Sequence, residues 1–134
     1  MRHPVLFSYQ CLAGLSDTLT GALLCAAPRF ALHLMGLNPP ADSTPYISYI
    51  GAFVLSVGIS YLYGAFLIAV DAPSARIEIV WLLTAFTRSA VAIYVLKSVL
   101  VGDLEFGWIT VAAFDVLCAT IQAIGLRKRW LADD

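Results

Sequence analysis

The sequence predicts an all-α integral membrane protein, an up-down bundle of four transmembrane helices with both termini on the cytoplasmic side. Three observations carry this expectation. Composition is the first: 60% of the 134 residues are hydrophobic and 13% are charged, where an ordinary soluble domain carries about a quarter charged residues. Length is the second, because one membrane crossing needs about 20 apolar residues and the chain divides into four such stretches separated by short breaks. The third is the placement of basic residues. Arg2, Arg76, Arg127, Lys128 and Arg129 collect on one side of the expected topology, while the opposite loops hold Arg29 and the acids Asp42, Asp103 and Glu105. Such a bias marks the cytoplasmic face. Four spans leave no length for a soluble domain, so residues 1–134 form a single transmembrane domain.

The first helix is expected over residues 4–27. Pro4 fits a first turn, where the missing N–H costs nothing, and Pro28 ends the apolar run. A basic start makes this stretch look like a signal peptide, but Asp17 interrupts the apolar region and Pro28 follows the small-residue site at once. The segment is therefore expected to be retained. Residues 29–37 are too few to span. There Phe30, Leu34 and Leu37 recur at helical spacing opposite Arg29 and His33, the pattern of a short helix lying in the interface, until Asn38, Pro39 and Pro40 break it.

The second helix is expected over residues 45–70, with Gly51, Gly58, Gly64, Ser56 and Ser60 as small residues for close helix approach. These glycines suit a homodimer, a larger membrane complex or packing within one chain equally well. A turn at residues 71–74 leads to a third helix over residues 75–101, and a tight turn at residues 102–105 leads to a fourth over residues 106–126. Turns this short make sequential helices antiparallel neighbours. Trp81 and Trp130 are expected at the inner interface, and Tyr46, Tyr49 and Trp108 at the outer one.

Three ionisable residues fall near mid-helix: Asp17 in the first helix, Arg88 in the third and Asp115 in the fourth. Each costs about 2.5 to 3.5 kcal/mol at the bilayer centre if it faces lipid. Arg88 lies 14 residues before Gly102 and Asp115 lies 13 after it, so antiparallel helices bring both to one depth. Asp17 sits halfway along its own helix. A buried Asp17, Arg88, Asp115 cluster is the prediction, with Gln10, Thr84 and Gln122 extending the polar interior at helical spacing. Two carboxylates facing one guanidinium do not balance in charge. Such a cluster either locks helices in register or serves as a ligand or proton site.

Other chemistries find no support. The formal net charge of −1 gives no basic surface for nucleic acid. Cys11, Cys25 and Cys118 lie in apolar stretches and form no CxxC pair, which argues against a redox dithiol or a structural disulfide. Only His3 and His33 supply imidazole, and both fall at loop depth. No cofactor, metal or catalytic residue is therefore expected.

At Gly14-Leu15-Ser16-Asp17 through Ala27-Pro28, and at Tyr49-Ile50-Gly51-Ala52-Phe53 with Gly58, the chain resembles the small bacterial DoxX-like four-helix membrane proteins. Those show a first helix ending in proline, an amphipathic connector and a Gly-Ala pair in the second helix. The arginine expected just before that pair is absent, with Ser48 and Tyr49 in its place. The resemblance implies a multi-pass protein of the bacterial inner membrane and assigns no catalytic residue.

Three functional readings follow. One is an accessory membrane subunit that binds membrane lipid or a quinone-like or lipid-like ligand near the cluster. Another is a small proton-coupled transporter, since the small multidrug resistance proteins also carry an acid in the first helix, where Asp17 stands. The third, a quinone-linked membrane oxidoreductase component, requires a vicinal dithiol that the sequence lacks.

Overall fold

A computed structural model describes residues 3–38 and 40–132 of the chain. Arg2 and Pro39, both used in the sequence argument, lie outside the described residues. Among the described residues all regular structure is helical: α1 (Pro4–Ala26), α2 (Pro28–Leu34), α3 (Thr44–Ala69), α4 (Ser74–Val101) and α5 (Ile109–Arg127), with single 3-10 turns at Ala41–Ser43 and Phe106–Trp108. The last span thus begins with a 3-10 turn where a continuous α-helix was expected from residue 106. Helices α3 and α4 and the segment Phe106–Arg127 are each long and apolar enough to cross a membrane. Helix α1 has 23 residues, about 35 Å at 1.5 Å per residue, but carries Gln10 and Asp17 among its apolar residues.

The breaks follow from local chemistry. Ala27 precedes a proline, which disfavours helical backbone there, and it adopts φ −144°. This separates α1 from α2. Gly36 and Gly102 take the left-handed conformation, at φ 72° and 88°. In each case the following residue donates back to a carbonyl five positions earlier: Leu37 to Leu32 at 2.9 Å and Asp103 to Ser98 at 2.9 Å. That closure satisfies carbonyls that a helix end otherwise leaves open. Asp71 and Arg129 make the same reversal with non-glycine residues, at φ 48° and 53°. At Arg129 it sends the chain back toward the bundle, with the Trp130 N–H donating to the Gly125 carbonyl at 3.0 Å. Leu131 is buried as a result. The basic run Arg127, Lys128 and Arg129 therefore lies on a chain reversal.

Two close helix pairs make up the bundle, α1 with α3 and α4 with α5. Glycine allows the first pair to approach at backbone distance. A Cβ on Gly21 would stand 2.3 Å from the Leu55 backbone nitrogen, and one on Gly58 2.4 Å from that of Thr18. Gly51, Gly58 and Gly64 are thus engaged by α1 of the same chain. Ser56 and Ser60, read as packing residues, point elsewhere. Each hydrogen-bonds a carbonyl of its own helix, Phe53 at 2.7 Å and Ser56 at 2.9 Å respectively.

Apolar clusters close both ends of the bundle. At the α2 end, Leu24, Ala31, Leu32, Leu37 and Ile47 pack together with Met35 and Trp108 beside them. At the end bearing the termini, Leu67, Ile68, Ile77, Trp81 and Leu131 do the same. Large apolar side chains also cover the outside, among them Leu12, Leu19, Phe53, Phe66, Phe86, Ile93 and Leu117.

Two expectations are corrected by this packing. Trp81 is no interface residue: it is fully buried, with its ring over Gly125, because α4 turns that position inward. In the short connector the expected apolar face of Phe30, Leu34 and Leu37 is divided. Phe30 and Leu34 are exposed, whereas Ala31, Leu32 and Leu37 face the bundle, because the break at Ala27 resets the helix rotation and Leu37 lies past the helix end.

Candidate functional site

Helical periodicity turns a polar stripe inward on three helices. The buried face of α1 carries Gln10, Ala13, Gly14, Asp17, Gly21 and Leu24. That of α4 carries Trp81, Thr84, Arg88 and Ala92, and that of α5 carries Asp115, Cys118 and Gln122. These stripes meet. Arg88 Nη2 donates to Asp17 Oδ2 and Arg88 Nη1 donates to Asp115 Oδ1, both in ion-pair contact. The nearly equal counts of residues on either side of Gly102, 14 and 13, do place Arg88 and Asp115 at one depth, because the tight turn leaves little slack to shift one helix along the other.

The third direction of the guanidinium goes to a residue absent from the sequence-based set. Arg88 Nε donates to the Tyr61 hydroxyl at 2.8 Å, and the Arg88 Cζ lies 4.8 Å from the Tyr61 ring centroid. Phe114 also borders the guanidinium, with its centroid 5.0 Å from Cζ. Such contacts contribute about 2 kcal/mol when the cation is desolvated. Tyr61 stands three residues after Gly58, on the small-residue face of α3. A large hydroxyl-bearing residue on a glycine face at mid-helix is the signal that could have found it.

A hydrogen-bonded run leaves the cluster through Tyr61. Its hydroxyl lies 3.4 Å from that of Tyr9, and Tyr9 donates to the Cys118 carbonyl at 3.3 Å. Since each hydroxyl has one proton, Tyr61 donates to Tyr9 and accepts from Arg88. Cys118 is a free thiol, as are Cys11 and Cys25. Among the described residues no three His, Cys, Asp or Glu side chains gather in a metal-binding group.

Gln10, Trp81 and Gln122 each lie seven residues from Asp17, Arg88 and Asp115 respectively, all toward the end bearing the termini. Seven residues are two turns, about 10 Å along an axis. A second polar layer therefore lies below the ionic one, and all three of its members are fully buried. Gln122 Nε2 donates to Thr84 Oγ1 at 2.7 Å. Gln10 Nε2 and Oε1, Gln122 Oε1 and Trp81 Nε1 have no partner within the protein. Leaving such a group unpaired costs about 1 to 3 kcal/mol, and native interiors rarely do so.

A groove of about 560 Å³ runs between α3 and α4, lined by Phe53, Val57, Ile59, Tyr63, Val80 and Leu83 with the hydroxyl residues Ser56, Ser60, Thr84 and Thr87. Of the residues singled out from sequence, Thr84 lines this groove. Gln122 is bonded to Thr84, and Gln10 is packed over Gly64, which Val80 also borders. Asp17, Arg88 and Asp115 are away from the groove wall. All six residues expected from sequence are thus buried in the interior, but they divide into an ionic layer and a neutral one. Comparison with protein-family models, curated proteins and solved structures gives no match to this chain.

Proposed function

We propose that the chain is a non-enzymatic, multi-pass membrane protein, an accessory subunit that takes up a lipid-like ligand from within the bilayer. In this reading α1 is the fourth span, both termini are cytoplasmic, and kinship with the DoxX-like proteins of the bacterial inner membrane is part of the same proposal. The observation that carries it is the α3–α4 groove: its walls are largely apolar, and they include Thr84, which is bonded to Gln122 of the polar interior. Apolar clusters stand at both ends of that interior, which favours a ligand arriving from the side over one arriving from water. The Asp17, Arg88, Asp115 cluster then serves as the clamp that holds the helices around the site, since each of the three Arg88 nitrogens already donates to a partner on another helix.

The test is to purify the protein in mild detergent, identify the molecules that stay bound by mass spectrometry, and repeat with Ser60→Phe, which fills the groove. Specific retention of one lipid-soluble species, lost in the folded variant, supports the proposal. Retention of bulk lipid alone, in equal amounts in both proteins, overturns it.

A second reading, a proton-coupled transporter, draws on the hydrogen-bonded run from the carboxylates through Arg88 and Tyr61 to Tyr9. It requires accumulation of a substrate in proteoliposomes under a pH gradient. Absence of any gradient-driven uptake removes it.

A further inference from the structure

The neutral layer has a more specific meaning, which rests on the proposal that the α3–α4 groove holds a ligand. We propose that Gln10, Trp81 and Gln122 recognise the hydroxyl head of a neutral lipid alcohol whose apolar tail lies in that groove. Three independent features lead there. All three side chains are fully buried, and each keeps at least one polar atom without a partner in the protein. They share one level, since each lies one heptad from a member of the ionic cluster. Two of them touch the groove's walls: Gln122 bonds Thr84, and Gln10 and Val80 both lie against Gly64.

The inventory of unpaired atoms sets the ligand class. Thr84 Oγ1 donates to the Val80 carbonyl at 2.8 Å or the Trp81 carbonyl at 3.2 Å, so toward Gln122 it acts as acceptor. That fixes the Gln122 amide with Nε2 toward Thr84 and leaves Oε1 as a free acceptor. Gln10 Oε1 is a second acceptor, while Gln10 Nε2 and Trp81 Nε1 are free donors. A hydroxyl both donates and accepts, and so can engage both kinds of group. An ether or ketone offers only acceptors. A carboxylate, phosphate or ammonium head brings a charge into a layer whose three polar members are neutral, at a desolvation cost that none of them offsets.

The probe is a sixteen-carbon alcohol carrying a photoactivatable diazirine in its chain, with the matching methyl ether as control. Both are added to the protein in lipid nanodiscs, and labelled peptides are mapped by mass spectrometry. The expected result is labelling of the α3 and α4 groove segments by the alcohol about tenfold above the ether, the ratio that one well-made hydrogen bond to a buried partner supports. In Gln10→Leu and in Trp81→Phe, each checked for an unchanged elution volume and melting temperature no lower than wild type, the ratio falls to about one. Leucine nearly keeps the volume of glutamine, whereas phenylalanine is smaller than tryptophan, so the elution and melting checks are what separate loss of fold from loss of recognition. Equal labelling by alcohol and ether in the wild-type protein overturns this inference while leaving the groove as a ligand site. It is also the result expected if water alone satisfies these groups. A tenfold preference that survives in both variants overturns it as well, and no groove labelling by either probe overturns the groove reading together with it.

Discussion

Arg88 Nε donates to the Tyr61 hydroxyl at 2.8 Å, so the side chain that ties α4 to α1 and α5 through two carboxylates also ties it to α3. One residue from each of the four long helices therefore meets in a single layer. The two helix pairs are joined there by long side chains, with Arg88 as the shared member.

Removing Arg88 leaves two buried carboxylates without their cation. Arg88→Met is expected to lose about 3 to 5 kcal/mol of stability, read from reversible unfolding in mixed micelles. Arg88→Lys recovers little, because one ammonium cannot reproduce three N–H directions fixed in a plane. The triple variant Asp17→Asn, Arg88→Met, Asp115→Asn recovers most of the loss, since it leaves no unpaired charge.

Tyr61→Phe keeps the ring under the guanidinium and removes the acceptor of Arg88 Nε. The expected cost is about 1 to 3 kcal/mol, that of one unpaired buried donor. Tyr9→Phe costs less, because its hydroxyl bonds are longer, at 3.3 and 3.4 Å. Parallel unfolding titrations of the two variants check the order.

Gly21→Ala and Gly58→Ala place a methyl against the backbone of the facing helix, 2.3 Å from Leu55 N and 2.4 Å from Thr18 N. Backbone must move, and each should cost about 1 to 3 kcal/mol or more. At Gly64 the new methyl meets the Gln10 amide instead, 2.2 Å from Nε2. A side-chain end can turn aside, so Gly64→Ala is expected to be the mildest of the three. Melting temperatures in one detergent rank them.

The α2 cap gives a matched comparison. Leu37 is 1% exposed and Leu34 is 68% exposed. Leu37→Ala is expected to cost about 2 kcal/mol or more through the cavity it leaves. Leu34→Ala, which removes no internal packing, should stay within about 0.5 kcal/mol.

The ionic layer was legible because a turn of fixed length converts residue counting into depth: Gly102 closes α4 so tightly that Arg88 and Asp115 had to meet. Asp17 followed from the cost of a charge in an apolar helix. Tyr61 was not legible in the same way, because tyrosine in a membrane helix reads first as an interface residue and only its place on the glycine face of α3 distinguishes it. Trp81 was misplaced for that reason. The rotation of α2 depends on the backbone break at Ala27, which leaves a proline in the sequence but no mark of the angle. Ser56 and Ser60 have the spacing and size of packing residues, and only the three-dimensional course of α1 leaves them in the groove. The neutral layer combines Gln10 and Gln122, visible with Thr84 as polar neighbours in the sequence, with a tryptophan whose N–H is buried.

Trp81 allows the proposed lateral route into the interior to be tested directly. In a Trp108→Phe, Trp130→Phe protein, Trp81 is the sole tryptophan, and its fluorescence in nanodiscs can be followed against aqueous iodide and against a long-chain alcohol bearing a nitroxide. Quenching by the nitroxide alcohol with no response to iodide is the expected result. Quenching by iodide to the extent seen for free tryptophan would contradict it, because the polar layer would then open to water rather than to the membrane.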